Sequence, residues 1–349
     1  MTKKEQKLVQ PLEEDRNAAS RKQDHIELAF RSQVLVDQMD QRFYYEPILA
    51  GHPETTANLS TPFLGKKLGA PVWVSSMTGG TALARIINQN LARACRDFGM
   101  GMGLGSCRSL LYNDDTFEDF NIRPIMGDKV PLFANLGIAQ VEQLIERDEL
   151  DLAEKMLEKL QADGLIIHVN PFQEWLQPEG DLIKVAPLET IQICLDKLAC
   201  PIIVKEVGQG MGYESLKALF QLPLAAIDFA ASGGTNFALL ELLRSDPIKQ
   251  QVFGQLAYSG HSAEDMVNMT NDILKELGDK VACKEVIISG GIKGFLDGHY
   301  LINKLATPSI YGQASAFLKY AREDYETLYN YVDSQIRGLS LAKSFLKVR

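Results

Sequence analysis

Residues 164–181 read GLIIHVNPFQEWLQPEGD. The run Gly164–Ile167 is apolar without alternation, the pattern of a strand buried on both faces of a parallel sheet. At His168 the character changes. An imidazole, the amides of Asn170 and Gln173 and the carboxylate of Glu174 all leave the same strand end. Packing gives no reason to concentrate such groups there, so this stretch joins the fold to the chemistry.

The same grammar, an apolar run followed by a polar or glycine-rich turn, recurs along the chain. It gives PVWVSSM (71–77), MGMGLGS (100–106), PLFANLG (131–137), GLIIHVN (164–170), PIIVKEV (201–207), AAIDFAA (225–231), EVIISGG (285–291) and PSIYGQ (308–313). Helical patterns lie between them. One sets Leu83, Ile86, Ile87, Leu91 and Ala94 on one face, and another groups Leu152, Met156, Leu157 and Leu160. The long connection from Thr235 to Lys284 has room for two helices, and 314–349 is helical in character. This series of βα units predicts an α/β protein: a (β/α)8 TIM barrel with an N-terminal extension. The competing doubly wound sheet usually has fewer strands in each domain. A typical barrel takes about 250 residues, and the surplus here falls mainly in the first 70 residues and in the long connection between strands six and seven. Residues 1–20 are polar and charged and are read as a mobile segment. Residues 21–349 are read as one barrel domain, capped by 21–70.

A barrel of this kind carries its site at the C-terminal ends of its strands. Here those ends deliver Ser75–Gly80, then Ser106 and Arg108, then Asn135. His168 and Asn170, Lys205, Ser232–Thr235, Gly290–Gly291 and Gly312 follow. Polar and glycine residues therefore converge on one rim.

Composition narrows the function classes. Hydrophobic residues make up 46% and charged residues 23%, as in an ordinary globular chain. A net charge of −9 argues against general nucleic-acid binding but leaves room for a local anion pocket. No apolar run is long enough to span a bilayer, so no membrane partner is expected. MTKKEQKLVQPLEEDRN lacks the apolar core of a secretory signal. The five cysteines (Cys95, Cys107, Cys194, Cys200, Cys283) are odd in number and form no CxxC pair. That points to a reducing cytoplasm without a disulfide framework or a zinc site.

Three small, donor-rich turns sit at successive strand ends: SGGTN (232–236), SGGIKG (289–294) and YGQAS (311–315). Glycines let backbone N–H groups approach an anion closely, and barrels often bind phosphate after strands seven and eight. Together the turns favour a phosphate-bearing cofactor. Lys205 lies inside a buried strand, where an ammonium is costly unless it meets an anion or polar group. Glu206 is its neighbour in sequence, but adjacent strand residues point to opposite faces. Lys205 is therefore expected to face a polar cofactor ring.

At this point the residues carry a resemblance. RKQDH (21–25), SSMTGGT (75–81), GLGSCR (103–108), ANLG (134–137), HVNPFQEWLQPEGD (168–181), VKEVGQG (204–210), ASGGTN (231–236) and SGGIKG (289–294) occur in family order. The chain resembles type 2 isopentenyl diphosphate isomerase, the FMN-dependent form. The resemblance implies reversible conversion of isopentenyl diphosphate to dimethylallyl diphosphate. It further implies reduced FMN, Mg²⁺, NADPH as a reductant, and a homotetramer or homo-octamer.

Carried over by position, Met77, Thr78, Gly79, Ser106, Asn135, Lys205, Ser232 and Thr235 resemble flavin contacts. Gly290, Gly291, Gly312 and Gln313 are similar to the FMN phosphate loop. Arg21, Lys22, His25, Arg108, His168 and Asn170 resemble the substrate diphosphate site. Gln173, also at the substrate, and His168 match the catalytic positions, and Glu174 matches the Mg²⁺ ligand. Lys293 stands where many members have arginine, Gln313 where a small residue is common, and Cys107 where glutamine is frequent.

The chemistry explains why a flavin would serve a reaction with no net redox change. An isolated alkene is a very weak base, and its protonation makes a tertiary cation that the site must stabilise and keep dry. Histidine or glutamate is poorly matched to so weak a base. An electron-rich reduced flavin lying against the alkene meets both needs. Taken singly, the residues read blandly: Arg21–Lys22 as a solvated pair, His168 as a core histidine, Glu174 as a solvent-facing acid, Trp175 as packing or a lid anchor. Two other readings share the barrel, an FMN-dependent 2-hydroxy-acid oxidase and a non-enzymatic flavin-binding scaffold.

Overall fold

The computed structural model of the protein describes residues 18–76 and 78–349. They divide into two compact units, one ending at Phe43 and including Arg349, the other Tyr44–Val348. The first unit carries the helix Ala18–Leu28.

The second unit is built on a closed barrel of parallel strands. These are β1 (Val72–Val74), β2 (Gly101–Gly103), β3 (Leu132–Gly137), β4 (Gly164–His168), β5 (Ile202–Lys205), β6 (Ala226–Asp228), β7 (Val286–Ser289) and β8 (Ser309–Gln313). They stand around the barrel in chain order, and β8 pairs with β1 to close it. All eight apolar runs of the sequence are barrel strands. Each strand is shorter than its run; in all but Leu132–Gly137 and Ser309–Gln313 the last residues leave the ladder and enter the rim loops. Continuous apolarity follows from burial on both faces: Leu165, Ile166, Ile167, Ile203 and Ile287 are fully enclosed. Inside the barrel Trp73 meets Phe133 edge-on, with ring centroids 6.1 Å apart.

The helix Ala82–Phe98 starts on Thr81, whose hydroxyl accepts from the Ala84 N–H, and ends at Gly99 in the left-handed region. Ile87, Leu91 and Ala94 of the expected face are buried, but the rest of that face differs. Leu83 and Ile86 are 51% and 50% exposed, whereas Asn88 and Asn90 are buried. Hydrogen bonds decide the rotation: Asn88 donates to Asp119 O at 2.8 Å and Asn90 to Ala321 O at 3.1 Å. Apolar periodicity alone is blind to such satisfied amides.

The connection between β6 and β7 holds three α-helices rather than the expected two: Phe237–Arg244, Pro247–Phe253 and Ala263–Leu277. Only Ser245 and Asp246 separate the first pair, so the apolar pattern reads through the break. Asp246 caps the second helix and Pro247 opens it. His261 precedes the Ser262–Asp265 capping box of the third, as a residue just outside a helix start.

Candidate active site

A cleft of about 330 Å³ opens at the C-terminal ends of β5 to β8. Lys205, Gly233–Thr235, Ser289–Gly291 and Gly312–Gln313 contribute to its wall. Glycine is required at two of these places. Gly290 has φ +89°, and a Cβ there would lie 2.0 Å from Ala231 O. A Cβ on Gly312 would lie 2.6 Å from the Ser75 hydroxyl. The turns after β6 and β7 thus press backbone against backbone and leave a floor bare of side chains. Lys293 lines the same cleft, so a cation is kept where the family more often has arginine. Gln313 is buried, donates to Ile292 O at 3.2 Å and leaves its Oε1 without a partner among the described residues.

Beside the cleft, the β4 loop forms a second group. Asn170 precedes the short helix Pro171–Leu176. Its Nδ2 donates to Gln173 Oε1 and to Glu174 Oε1, both at 3.0 Å. Glu174 is 8% exposed, and its Oε2 accepts the Asp181 N–H at 2.8 Å. It is therefore no solvent-facing acid. Gln173 Nε2 donates to Glu241 Oε1 at 3.4 Å, so both ends of its amide are held. Glu241 is buried and ion-paired to Arg244, which also reaches Glu179. Arg108 pairs with Asp181 at 2.9 Å while remaining half exposed. The acids of QPEGD therefore anchor two arginines around Glu174.

His168 joins the two groups. It pairs in register with Lys205 on β5, and its Nδ1 lies 2.8 Å from Asn135 Oδ1. Asn135 donates its Nδ2 to Leu104 O, which turns its Oδ1 to the ring and puts the imidazole proton on Nδ1. Burial, helped by the Lys205 ammonium, pushes the His168 pKa down to about 3. The ring is neutral near pH 7 and presents Nε2 as a lone pair.

Other expected site residues stand differently. Thr78 and Gly79 lie in the β1 loop, with Gly79 packed on Phe120. Ser106 is exposed after β2. The Ser232 hydroxyl is turned to Gln209 O at 3.3 Å. Met77 lies outside the described residues. Arg21, Lys22 and His25 are exposed on the helix Ala18–Leu28 of the first unit. Trp175 is exposed, not packed in a core. Among the described residues no group of three or more His, Cys, Asp or Glu side chains is arranged to hold a metal.

No protein-family model matches the chain. Curated relatives do. The isopentenyl-diphosphate delta-isomerase of Rickettsia peacockii (strain Rustic) is 34% identical over 325 residues, 92% of this chain and 91% of the relative. That of Rickettsia akari (strain Hartford) is 36% identical over 309 residues, 86% of each chain. The chain belongs to the isopentenyl-diphosphate delta-isomerase family. Among solved structures, the flavin-binding domain of baker's yeast flavocytochrome b2 superposes with a TM-score of 0.58 at 16% identity, over 86% of this chain and 72% of that one. A mandelate oxidase mutant carrying a monooxide FMN adduct gives 0.54 at 14% identity, over 88% and 89%. At such identities the likeness establishes the fold alone.

Two residues of this family member escape a reading of the sequence. Glu241 hides in FALLELLR, yet it shares the buried stripe with Ala238 and Leu242. An acid on the apolar stripe was the available signal. Asp228 sits in the apolar run AAIDFAA, paired in register with Lys205. Burial pushes its carboxyl up, while the Lys205 ammonium and the Ser289 hydroxyl pull the other way.

The cleft residues fit a phosphate-bearing flavin. Gln313 Oε1 and the hydroxyls of Ser75 and Ser76 line the cleft, buried and without partners among the described residues, so the wall offers unspent polar groups to a ring edge. Lys205 and Lys293 offer positive charge, and the glycine turns offer bare backbone. The volume lies in the range of small-molecule sites, about 300–1,000 Å³.

Proposed function

We propose that this chain interconverts isopentenyl diphosphate and dimethylallyl diphosphate, with FMN in the glycine-lined cleft. One observation carries the reading. The Asn170–Gln173–Glu174 cluster, held from both sides, leaves the strand that sets His168 beside the cleft residue Lys205. Family membership supports the same reaction. When bound, reduced FMN supplies an electron-rich surface and the acid–base groups that an alkene requires.

The chain's own residues bind, orient and exclude. Gly290, Gly291, Gly312 and Lys293 receive the cofactor phosphate, and Lys205 meets the polar edge of the ring. Gln173 stands at the reacting carbons, with its amide set by Asn170 and Glu241 so that neither end can flip. Glu174 is the residue that would hold Mg²⁺, which would supply positive charge to the diphosphate. Arg108 faces the diphosphate once it is released from, or shared with, Asp181. His168 has a different part from a simple donor. Its Nε2 donates to a phosphate oxygen only after protonation, which the substrate's own negative charge favours. By the family resemblance, Arg21, Lys22 and His25 are proposed as further diphosphate-binding residues. The reading includes NADPH as the reductant, a homotetramer or homo-octamer, and a cytoplasmic setting in which the five free thiols stay reduced.

The test is anaerobic. Protein, FMN, NADPH, Mg²⁺ and isopentenyl diphosphate are mixed and the products separated. Dimethylallyl diphosphate is expected without stoichiometric NADPH consumption. No product from a flavin-loaded, reduced protein refutes the reading.

A further inference from the structure

Three polar side chains form a row across the barrel mouth. Strand pairing sets His168 opposite Lys205 and Lys205 opposite Asp228. Residues in register on neighbouring parallel strands project to the same side of the sheet. Asp228 is 0% exposed. Its Oδ1 accepts from the Ser289 hydroxyl, and its Oδ2 has no partner among the described residues. The Ser289 oxygen also accepts the Ala230 N–H at 2.9 Å, so its own hydrogen is committed to Asp228. Lys205 donates to Glu206 O at 2.6 Å and lines the cleft, whereas Asp228 does not reach the cleft wall. A buried carboxylate is costly without an opposing charge, and the Lys205 ammonium on the next strand acts on it electrostatically without a direct ion pair.

We infer that Asp228 is a positioning residue that acts through Lys205: with no direct ion pair between them, its carboxylate attracts the ammonium from the next strand and offsets the positive charge offered to the cofactor ring. The inference rests on the reading that the cleft holds FMN. Reduced flavin is the more electron-rich form at the same ring, so it gains more than oxidised flavin from an uncompensated ammonium. Removing the Asp228 charge should therefore favour reduced flavin. A residue that merely fills space would leave that balance unmoved.

The test compares full-length wild type with Asp228→Asn. Flavin affinity is read from fluorescence quenching, and the midpoint potential from an anaerobic dye titration. Asp228→Asn is expected to bind reduced flavin about tenfold more tightly relative to oxidised flavin, a rise of about 30 mV for a two-electron couple. Asp228→Glu, which keeps the charge, should stay near the wild-type potential. If Asp228→Asn does not fold, Ser289→Ala serves instead: it withdraws a donor from the carboxylate, leaves its charge less offset and should shift the potential in the opposite direction by less. An unchanged potential in a folded, FMN-bound Asp228→Asn or Ser289→Ala protein overturns the inference alone. Failure of the wild type to bind FMN overturns the cofactor reading, and this inference with it.

Discussion

Asn170→Ala tests the centre of the β4 loop. The side chain is 2% exposed, and its Nδ2 donates to the neutral Gln173 amide and to the Glu174 carboxylate, each at 3.0 Å. A bond to a neutral acceptor contributes about 1 kcal/mol and one to a charged acceptor about 2 kcal/mol, so alanine costs about 3 kcal/mol. Unfolding entropy near 2.1 cal/mol/K per residue gives about 0.7 kcal/mol/K for a chain of 349 residues. The melting temperature should then fall by about 4 °C. Activity should suffer in parallel, because Gln173 loses one of its two tethers and Glu174 keeps only the Asp181 N–H. Loss of most of that energy from the transition state is a fall of about 100-fold in kcat/KM. Thermal melts and anaerobic initial rates with isopentenyl diphosphate measure both quantities. Asn170→Asp keeps the volume but sets a second carboxylate against Glu174, and should lose more activity than alanine. A variant melting within about 1 °C of the parent, with turnover within about twofold, would refute the reasoning.

Three more variants probe separate parts. Glu174→Gln should weaken Mg²⁺ binding about 10- to 100-fold while FMN stays bound, and equal metal affinity in a titration would remove that role. Lys205→Ala should weaken FMN binding about tenfold or more; normal affinity with full turnover would take Lys205 out of the site. Asp163 reports on stability instead. Burial pushes its carboxyl up, but Lys66, the Leu132 N–H and Arg123 outweigh that and hold it below its ordinary value. The unfolded chain therefore takes up the proton first, so the stabilisation is full above the unfolded pKa of about 3.9 and drains away as pH falls below it. Asp163→Asn should lower the urea midpoint near pH 7, and the gap from wild type should narrow as the pH is lowered below about 3.9. A gap that stays equal as the pH falls would contradict this assignment.

The barrel was legible because parallel strands buried on both faces cannot hide: PLFANLG and GLIIHVN have no solvent side to alternate toward. The β4 loop was legible because its polar residues are local, with Asn170, Gln173 and Glu174 brought together by one short helix. What stayed hidden depends on partners distant in sequence. Glu241 meets Gln173 from a helix in the β6–β7 connection, and Arg108 meets Asp181 from the far side of the β4 loop. The desolvation argument that singled out Lys205 applied equally to Asp228. Glu206 was rightly set aside as a side-chain partner, since Lys205 reaches only its carbonyl oxygen. The opposing charge lies one strand over, and strand-to-strand register is not written in either run.

A mandelate oxidase mutant shares the barrel fold; we propose that in this chain the β4 loop selects the reaction. An oxidase needs a base whose pKa lies near the working pH. His168, held down near 3 by burial and by Lys205, is too weak a base for that task. Gln173 is a neutral amide, and Glu174 has both oxygens engaged by hydrogen bonds. A loop this poor in bases but rich in fixed amides suits a substrate that must be held dry and oriented while the cofactor supplies the acid–base group. Aerobic incubation of the FMN-loaded protein with lactate should accordingly yield no peroxide. Steady peroxide release would mean that the barrel, and not this loop, had set the chemistry.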